Sequence, residues 1–327
     1  MTDHTSNLQH GAAAHALQSS AFSTPAPLPE GMRRPRIVLD DVLAEAIDLR
    51  PLPEVGRRLL ALAEGDGFSL QDLAIVVGAD QALSAKILRI ANSPFHRHSR
   101  QIGTIRDAVV LLGFRTVRSA ALTACLMQTT PPQTNVLDYP DFWRFSVSVG
   151  VIAELLAENE EVRDMAFTAG VMHNLGRLAL DQFVPREFER AVRMSQDLGL
   201  PLRDAQREVL GFTESELGAA LATQWSYPDS LVAAIAAGDL DDEAAVQSGP
   251  LARLVTRARR TASHILIADG LPGAPGGATP LAIAQASGAP ASESVTCITG
   301  IGGADELRTR VDAFLEGVFP DRQIFSR

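Results

Sequence analysis

Residues 167–180 have the sequence FTAGVMHNLGRLAL, and this stretch is the starting point for predicting the fold. The stretch is apolar and rich in small residues, which is typical of a helix buried among other helices. Its middle carries one polar pair, His173 and Asn174. In a buried helix these side chains would face a pocket, and in a metallohydrolase that pocket would hold the metal. The question for the rest of the chain is whether it supplies further ligands.

Helical patterns surround this stretch on both sides. Apolar residues recur at helical spacing, and the pairs Ser69 with Asp72 and Thr213 with Glu216 match a helix-capping motif. No sustained strand pattern is found, so an all-α fold is predicted, with a short extended piece at 294–300 left open. The predicted helices are 39–49, one from Pro53 to before Gly65, 70–77, 80–91, 104–112, 115–127, 140–159, 163–182, 186–199, 202–210, 214–224, 228–237, 249–268, 281–287 and 304–318.

Composition shifts predict two helical lobes with flanking segments. The first residues are polar and interrupted by prolines, and residues 129–138 contain adjacent prolines without apolar periodicity. The predicted divisions are a disordered tail (1–35), an N-terminal helical lobe (36–128), a linker (129–138), a second helical lobe (139–270), and a linker with C-terminal helices (271–327).

The charge and the cysteine content limit the class of protein. The 327 residues carry a formal net charge of −10, which argues against a general nucleic-acid binder or an anionic-membrane binder. No apolar run is long enough to span a bilayer, and no secretory signal is recognised. The two cysteines, Cys125 and Cys297, suit a reduced compartment. A cytoplasmic protein is therefore expected. No glycine-rich phosphate loop of the Walker type is present, and no cofactor is predicted.

Histidine placement argues against a metal centre. A divalent site needs three or more ligands, drawn here from several helices. Of the seven histidines, only His173 lies in a deep apolar context. Its neighbour Asn174 is a neutral amide, which is a poor ligand for zinc or iron. The other histidines are His4, His10 and His15 in the tail, His96 and His98 near a loop, and His264 on a late helix.

The motifs taken together resemble the HDOD family. The N-terminal marks are Leu52-Pro53, the run from Asp80 to Leu83, the Ala91-Asn92-Ser93 turn and the run from Leu112 to Thr116. The second half shows FWRFS, AGVMHNLGRLAL and GFTESELGAALATQW, and the match covers roughly 50–240. The resemblance implies a two-lobed helical fold whose second lobe is similar to the HD-domain metal-dependent phosphohydrolases. HDOD proteins are generally regarded as signalling modules.

Set against the active HD pattern, most ligand positions have changed. The resemblance places Phe145 and Asn174 where the pattern has His and Asp, and Glu214 where it has another His. Its late His-His pair falls on Gly238 and Asp239. His173 is the retained ligand type. No catalytic, cofactor or metal residues are therefore predicted. A hard cation on His173, Glu214 and Asp239 is a weaker alternative, because carboxylates at helix starts usually serve the helix dipole.

The sequence thus predicts a non-catalytic regulatory module that acts by protein–protein interaction in a bacterial signalling pathway. Two alternatives stay open: a metal-dependent phosphohydrolase acting on a nucleotide or cyclic dinucleotide, and a non-catalytic nucleotide sensor. Partners are expected to be other signalling proteins, without nucleic acid or membrane. Arginines 253, 257, 259 and 260 are predicted on the outer side of helix 249–268, as a solvated face or a contact for an acidic partner. Close helix contacts or helix ends are predicted at Gly150, Gly170, Gly176, Gly211 and Gly218.

Overall fold

Helices make up the regular structure of the described residues. The computed structural model describes residues 37–46, 54–62, 69–93, 101–129, 134–239, 242–265, 267–273 and 303–318, and within these ranges it contains no strand. The prediction of an all-α fold is confirmed. The helices before the predicted linker are α1 (Leu39–Ala46), α2 (Glu54–Ala61), α3 (Leu70–Gly78), α4 (Gln81–Ala91), α5 (Ile105–Leu112) and α6 (Phe114–Thr129).

A second series of helices follows residue 138. It ends with a helix near the C-terminus that lies, in sequence, far from the others. Its members are α7 (Tyr139–Leu156), α8 (Glu160–Met172), α9 (Leu175–Phe183), α10 (Pro185–Leu198), α11 (Leu202–Val209), α12 (Glu214–Gln224), α13 (Asp229–Ala236), a 3-10 turn (Ala237–Asp239), α14 (Asp242–Gln247), α15 (Pro250–His264) and α16 (Ala304–Val318). The short helix α14 lies in a stretch where no helix was predicted.

Several helices begin where the capping patterns predicted. The Ser69 hydroxyl accepts a hydrogen bond from the Asp72 backbone N–H, and the Asp72 carboxylate accepts one from the Ser69 backbone N–H. Thr213 and Glu216 form the same reciprocal pair at the start of α12. Each box satisfies backbone donors that a helix N-terminus leaves without partners. Both capping predictions are confirmed.

Helix α7 is the centre of the second series of helices. Most of its residues are buried, and it packs against α8, α15 and α16. The crossing of α7 and α8 depends on two glycines, since a Cβ atom added at Gly170 would lie 2.5 Å from the Cα atom of Gly150. The backbones therefore touch at this point, as predicted for these two positions.

Helix α16 bridges the two halves of the chain. It packs against α4 of the first half and α7 of the second half. A Cβ atom added at Gly317 would lie 2.4 Å from a side-chain carbon of Ile90 in α4. The Phe314 ring lies 5.6 Å from the Phe167 ring in α8, centroid to centroid. Residues near the C-terminus thus belong to the hydrophobic core.

The segment before α7 is held by one buried carboxylate. Asp181 of α9 accepts hydrogen bonds from the backbone N–H groups of Asn135, Val136 and Leu137, at 2.7 to 3.2 Å. The Asn135 side chain donates a further bond to the Asp181 carbonyl oxygen. The Asp181 side chain is fully buried, so hydrogen bonds from these backbone N–H groups replace those that water would make to an exposed carboxylate. This part of the predicted linker is consequently fixed to α9.

Some predictions fall on residues outside the described ranges. These are the tail (1–35), Pro53, Gly65, His96, His98, the 281–287 helix, the 294–300 extended piece and Cys297. The divisions between lobes and linkers stay predictions. Within the described ranges no single helix is long and apolar enough to cross a membrane, while the bent pair Ile105–Leu112 and Phe114–Gln128 passes that test on length and composition alone.

Candidate functional site

The His173–Asn174 pair lies at a break between two helices. Helix α8 ends at Met172 and α9 begins at Leu175, so the single helix predicted over 163–182 is wrong. The Asn174 backbone, with φ −108° and ψ 25°, leaves the helical region. Neither Gly nor Pro marks the turn, and the apolar pattern continues through it, so periodicity did not reveal the break.

His173 is a buried, neutral imidazole. Its Nδ1 atom lies 2.6 Å from the Gly170 carbonyl oxygen, and because a carbonyl only accepts, Nδ1 carries the proton. Burial lowers the pKa of His173 to about 3, and the charges of Arg259 and Arg177 add to this effect, against the Gly170 hydrogen bond. The Phe145 ring lies 5.7 Å from the imidazole ring, centroid to centroid. The predicted apolar replacement at Phe145 therefore does stand beside the histidine.

The Asn174 amide is bound to helix α7. Its Nδ2 atom donates to the Ser146 hydroxyl oxygen at 3.0 Å, and that hydroxyl lies 2.7 Å from the Phe142 carbonyl oxygen, to which it donates. Asn174 and Ser146 are both buried. His173 and Asn174 thus pair with backbone and side-chain groups inside the helical core, as predicted.

Arg177, one turn after His173, forms a buried network with two carboxylates. Its Nη2 and Nε atoms donate to the two Glu214 oxygens at 2.7 and 3.0 Å. Its Nη1 atom donates to Asp269 Oδ2 at 2.9 Å. Burial lowers the pKa of Arg177, but the two carboxylates outweigh burial and raise it. The guanidinium is therefore a permanent charge whose donors are committed to these two partners.

The Glu214 carboxylate is fully engaged within the protein. Besides Arg177, it accepts a bond from the Gln206 side-chain amide at 2.9 Å, while its backbone N–H donates to the same amide's oxygen at 3.0 Å. Burial raises the pKa of Glu214, but Arg177 and the hydrogen bonds outweigh burial and hold the pKa below its usual value. Glu214 is thus an ionised carboxylate that is already neutralised by a neighbour.

Two glycines bring Arg177 and Glu214 together. A Cβ atom added at Gly176 would lie 1.8 Å from the Glu214 carbonyl oxygen and 2.6 Å from the Gly218 backbone nitrogen. Helices α9 and α12 are consequently in backbone contact, which confirms the predicted close approach at both glycines. Arg177 directly follows Gly176, and Glu214 lies one helical turn before Gly218. The contact therefore brings these two side chains within ion-pair distance.

These groups surround a polar cavity of about 160 Å³. Its wall includes the rings of Phe145 and His173, and the side chains of Arg177 and Glu214. Ser215 also lines it, and a Cβ atom added at the neighbouring Gly238 would lie 2.5 Å from the Ser215 hydroxyl oxygen. Four of the positions that the resemblance assigns to ligands, Phe145, His173, Glu214 and Gly238, therefore line one cavity, and of these only His173 keeps the ligand type.

Helix α15 supplies the opposite wall of the cavity. Arg259, Arg260 and His264 line it. Arg259 is half-buried, so the prediction that it lies on an outer face is wrong, whereas Arg260 is exposed as predicted. Arg253 is exposed and does not belong to the cavity lining, which agrees with its predicted outward position.

The structure describes only part of the alternative cation site that was predicted from His173, Glu214 and Asp239. His173 and Glu214 share the cavity, while the side chain of Asp239 lies outside the described parts of the chain. Among the described side chains no group of three or more His, Cys, Asp or Glu residues lies close enough to hold a metal ion.

Sequence reasoning missed four participants in the site: Arg177, Gln206, His264 and Asp269. Arg177 had a usable signal, because an arginine inside an otherwise apolar buried stretch needs an anionic partner. Its partner Asp269 lies 92 residues further along the chain, and no local pattern links the two. His264 was noted only as a lone histidine on a late helix.

The chain belongs to the HDOD domain family, whose profile matches residues 49–239, more than half of its length. The match agrees closely with the extent of the resemblance found in the sequence. The family assignment and the helical fold are therefore confirmed together.

Solved structures support the same fold. A crystal structure of an HDOD domain protein of unknown function from Geobacter sulfurreducens has a TM-score of 0.65 at 22% identity, over 84% of this chain and 96% of that chain. A candidate signal transduction protein from Marinobacter aquaeolei VT8 has a TM-score of 0.61 at 24% identity, over 91% and 63%. A candidate phosphohydrolase from Shewanella amazonensis SB2B has a TM-score of 0.58 at 24% identity, over 85% and 95%. At these identities the likeness establishes the fold alone.

A curated relative comes from Treponema pallidum (strain Nichols). This uncharacterized protein is 22% identical over 199 residues, which are 58% of this chain and 37% of the relative. The match thus spans less than half of the relative's length.

Proposed function

We propose that this chain is a non-catalytic regulatory module that acts in a bacterial signalling pathway by binding other proteins. The observation that carries the proposal is the buried ion pair between Arg177 and Glu214, at 2.7 Å. The resemblance implies that this cavity corresponds to the metal site of the active HD pattern, and Arg177 would put a permanent positive charge there. A regulatory role is also in keeping with the Marinobacter relative, which is described as a candidate signal transduction protein.

The donor set of the cavity does not fit a divalent cation. Phe145 offers no donor atom, and the Asn174 amide is bonded to Ser146. Glu214 accepts from Arg177 and Gln206, so a metal would have to displace a guanidinium to reach it. His173, with Nδ1 on a backbone carbonyl, retains one nitrogen suited to a metal. Among the described residues no three His, Cys, Asp or Glu side chains lie close enough together to hold a metal ion, whereas a stable site needs three or more ligands.

The metal content of the purified full-length chain tests the non-catalytic part of the proposal. We expect substoichiometric iron, manganese and zinc by elemental analysis, and no hydrolysis of cyclic dinucleotides after these metals are added. Stoichiometric metal that disappears in His173→Ala but remains in His264→Ala would establish the rival, a metal-dependent phosphohydrolase. The His264 variant is the matched control, since both histidines line the same cavity.

The interaction part needs a separate test in the native cell. The full chain, crosslinked in its own bacterium, is expected to enrich a reproducible protein partner over a heat-unfolded bait. Deletion of the gene is expected to alter a regulated response. If no partner is enriched and no response changes, the role as an interaction module is wrong, whatever the metal analysis shows.

A further inference from the structure

Another cavity, the junction cavity, lies where the two halves of the chain meet. Its volume is about 50 Å³, and residues of α4, α6, α7, α8 and α16 line it. It shares no lining residue with the cavity beside His173. Helix α16 lies outside the region 49–239 that the family profile matches. The junction cavity is therefore built partly from residues that the family region does not contain.

Part of the wall of the junction cavity is apolar and firmly packed. The rings of Phe167 and Phe314 line it and lie 5.6 Å apart, centroid to centroid. Ile90 and Val151 also line it, and both are buried. Ile90 packs so closely against Gly317 of α16 that a Cβ atom added there would lie 2.4 Å from the Ile90 side chain. The core thus holds this part of the wall in place, and the wall suits a small alkyl group.

The junction cavity also has a polar part, which contains three hydroxyl groups. Ser93, Thr116 and Ser119 line it. Within the described ranges their side chains make no hydrogen bond, although Ser119 is only 4% exposed. Buried hydroxyl groups in folded proteins are nearly always hydrogen-bonded. These three groups therefore offer donors and acceptors to a molecule in the cavity.

Two opposite charges line the junction cavity without forming an ion pair. Glu154 of α7 is half-buried, and Arg310 of α16 is exposed at the rim. The two interact electrostatically, but neither side chain has a hydrogen-bonded or ion-paired partner among the described residues. Burial raises the pKa of Glu154 above its usual value, against the opposing effect of Arg310 and three other arginines. The protein therefore compensates the buried carboxylate only in part.

The three other arginines near Glu154 are bonded to other acceptors, so they do not compete with Arg310 for a ligand. They are Arg115, which pairs with Glu160 and Asp164, Arg163, which pairs with Glu160, and Arg118, which donates to the Asp164 carbonyl oxygen. Of the four arginines, Arg310 is the one whose guanidinium has no bonded partner in the described part of the chain.

We propose that the junction cavity binds a small zwitterion, an α-amino acid such as alanine or glycine, with its carboxylate on Arg310 and its ammonium group on Glu154. A zwitterion pairs with both charges at once, whereas a simple anion would face Glu154 and a simple cation would face Arg310. Hydroxyl groups both donate and accept, so they suit either end of the ligand.

The size of the junction cavity limits the ligand to the smallest amino acids. A cavity needs roughly 10 to 15 Å³ for each water-sized group. A volume of about 50 Å³ therefore has room for a few such groups, and long side chains do not fit. Because Glu154 and Arg310 lie on different helices, the bound ligand joins α7 to α16. Ligand binding then stabilises the junction between the two halves of the chain.

Calorimetric titration of the full chain with alanine and glycine tests the site. Propionate lacks the ammonium group of alanine, and ethylamine lacks its carboxylate. We expect at least one of the two amino acids to bind and to raise the melting temperature, and both controls to fail. Arg310→Gln and Glu154→Gln are each expected to weaken binding roughly tenfold or more, the usual loss for a hydrogen bond to a charged group. Arg308→Gln removes an exposed charge of α16 outside the cavity lining and is expected to have no effect.

The outcomes decide this site separately from the proposed function. If neither amino acid binds, the site is wrong. If propionate binds as tightly as alanine, Glu154 is not a ligand, and equal binding of ethylamine excludes Arg310 in the same way. Equal losses in Arg308→Gln and Arg310→Gln would place the ligand elsewhere. Arg310 is exposed, so its variant is expected to fold even if Glu154→Gln does not. Metal content and partner enrichment, which test the proposed function, do not depend on any of these results.

Discussion

The guanidinium of Arg177 and the carboxylate of Glu214 meet at 2.7 and 3.0 Å through two parallel hydrogen bonds, and both side chains are almost completely withdrawn from water. A buried ion pair adds little net stability, but removing one partner leaves a charge without compensation. Replacing Arg177 or Glu214 alone is therefore expected to lower the stability of the fold, and replacing both together to lower it less.

Arg177→Met is expected to lower the free energy of unfolding by about 3 to 5 kcal/mol, because the Glu214 carboxylate then stays buried alone. The double variant Arg177→Met/Glu214→Leu is expected to be more stable than Arg177→Met. Urea unfolding followed by circular dichroism measures both. Additive losses in the double variant would show that the two side chains are not energetically coupled.

Stability is expected to fall in mild acid because of His173. Its pKa is about 3 in the folded chain, against an ordinary value of 6.5. The unfolded chain therefore binds the proton first, and the free energy of unfolding decreases as the pH falls from 6.5 towards 3. The slope from this group approaches about 1.4 kcal/mol per pH unit.

Urea unfolding at a series of pH values measures this slope. In His173→Leu the contribution is expected to disappear, even though that variant is less stable at neutral pH. The charged groups that face the ring, Arg177, Arg259 and Glu214, remain in both proteins. An unchanged slope in the variant would mean that the acid sensitivity arises elsewhere.

Gly176→Ala is expected to cost about 3 kcal/mol or more, above the usual range for an added methyl group in a core. The new Cβ atom would lie 1.8 Å from a backbone oxygen of Glu214, and a backbone atom cannot swing away as a side chain can. Gly78→Ala is the matched control, since nothing lies within 4 Å of its added Cβ atom. Thermal unfolding should show the first variant well below the wild type and the second close to it.

Asp181→Ala is expected to destabilise the fold by about 3 kcal/mol, because the backbone N–H groups of residues 135–137 lose their acceptor. Asp181→Asn keeps one side-chain oxygen and should lose less. The exposed Asp197 serves as the control, where replacement by Ala is expected to change stability by less than about 0.5 kcal/mol. Equal urea midpoints for the Asp181 and Asp197 alanine variants would contradict the anchoring role.

Features set by neighbouring residues were predictable from the sequence. The capping pairs Ser69–Asp72 and Thr213–Glu216 each lie within one helical turn, and both occur as predicted. Close helix contacts or helix ends were likewise predicted at five glycines, and close contacts occur at Gly150, Gly170, Gly176 and Gly218. Motif and spacing were enough for these features.

Features that depend on distant partners were not predictable. Nothing near Arg177 indicates that Asp269 neutralises it, and the outward assignment of Arg259 needed the rotation of α15, which packing decides. The break at Asn174 was missed for a related reason, since its amide is held by Ser146 of another helix. The sequence thus singled out Phe145, Asn174 and Glu214 near His173, but neither Arg177 nor the groups that hold these side chains.

Helix α16 lies outside the matched family region of 49–239, yet its Leu307, Val311 and Leu315 are buried against the rest of the fold. The part of the chain that defines kinship is therefore smaller than the part that shares one core. Helix α16 packs on both halves of the fold, so a change that displaces this helix would also weaken the packing between the two halves. The region that the family profile matches and the region that forms the common core therefore have different boundaries.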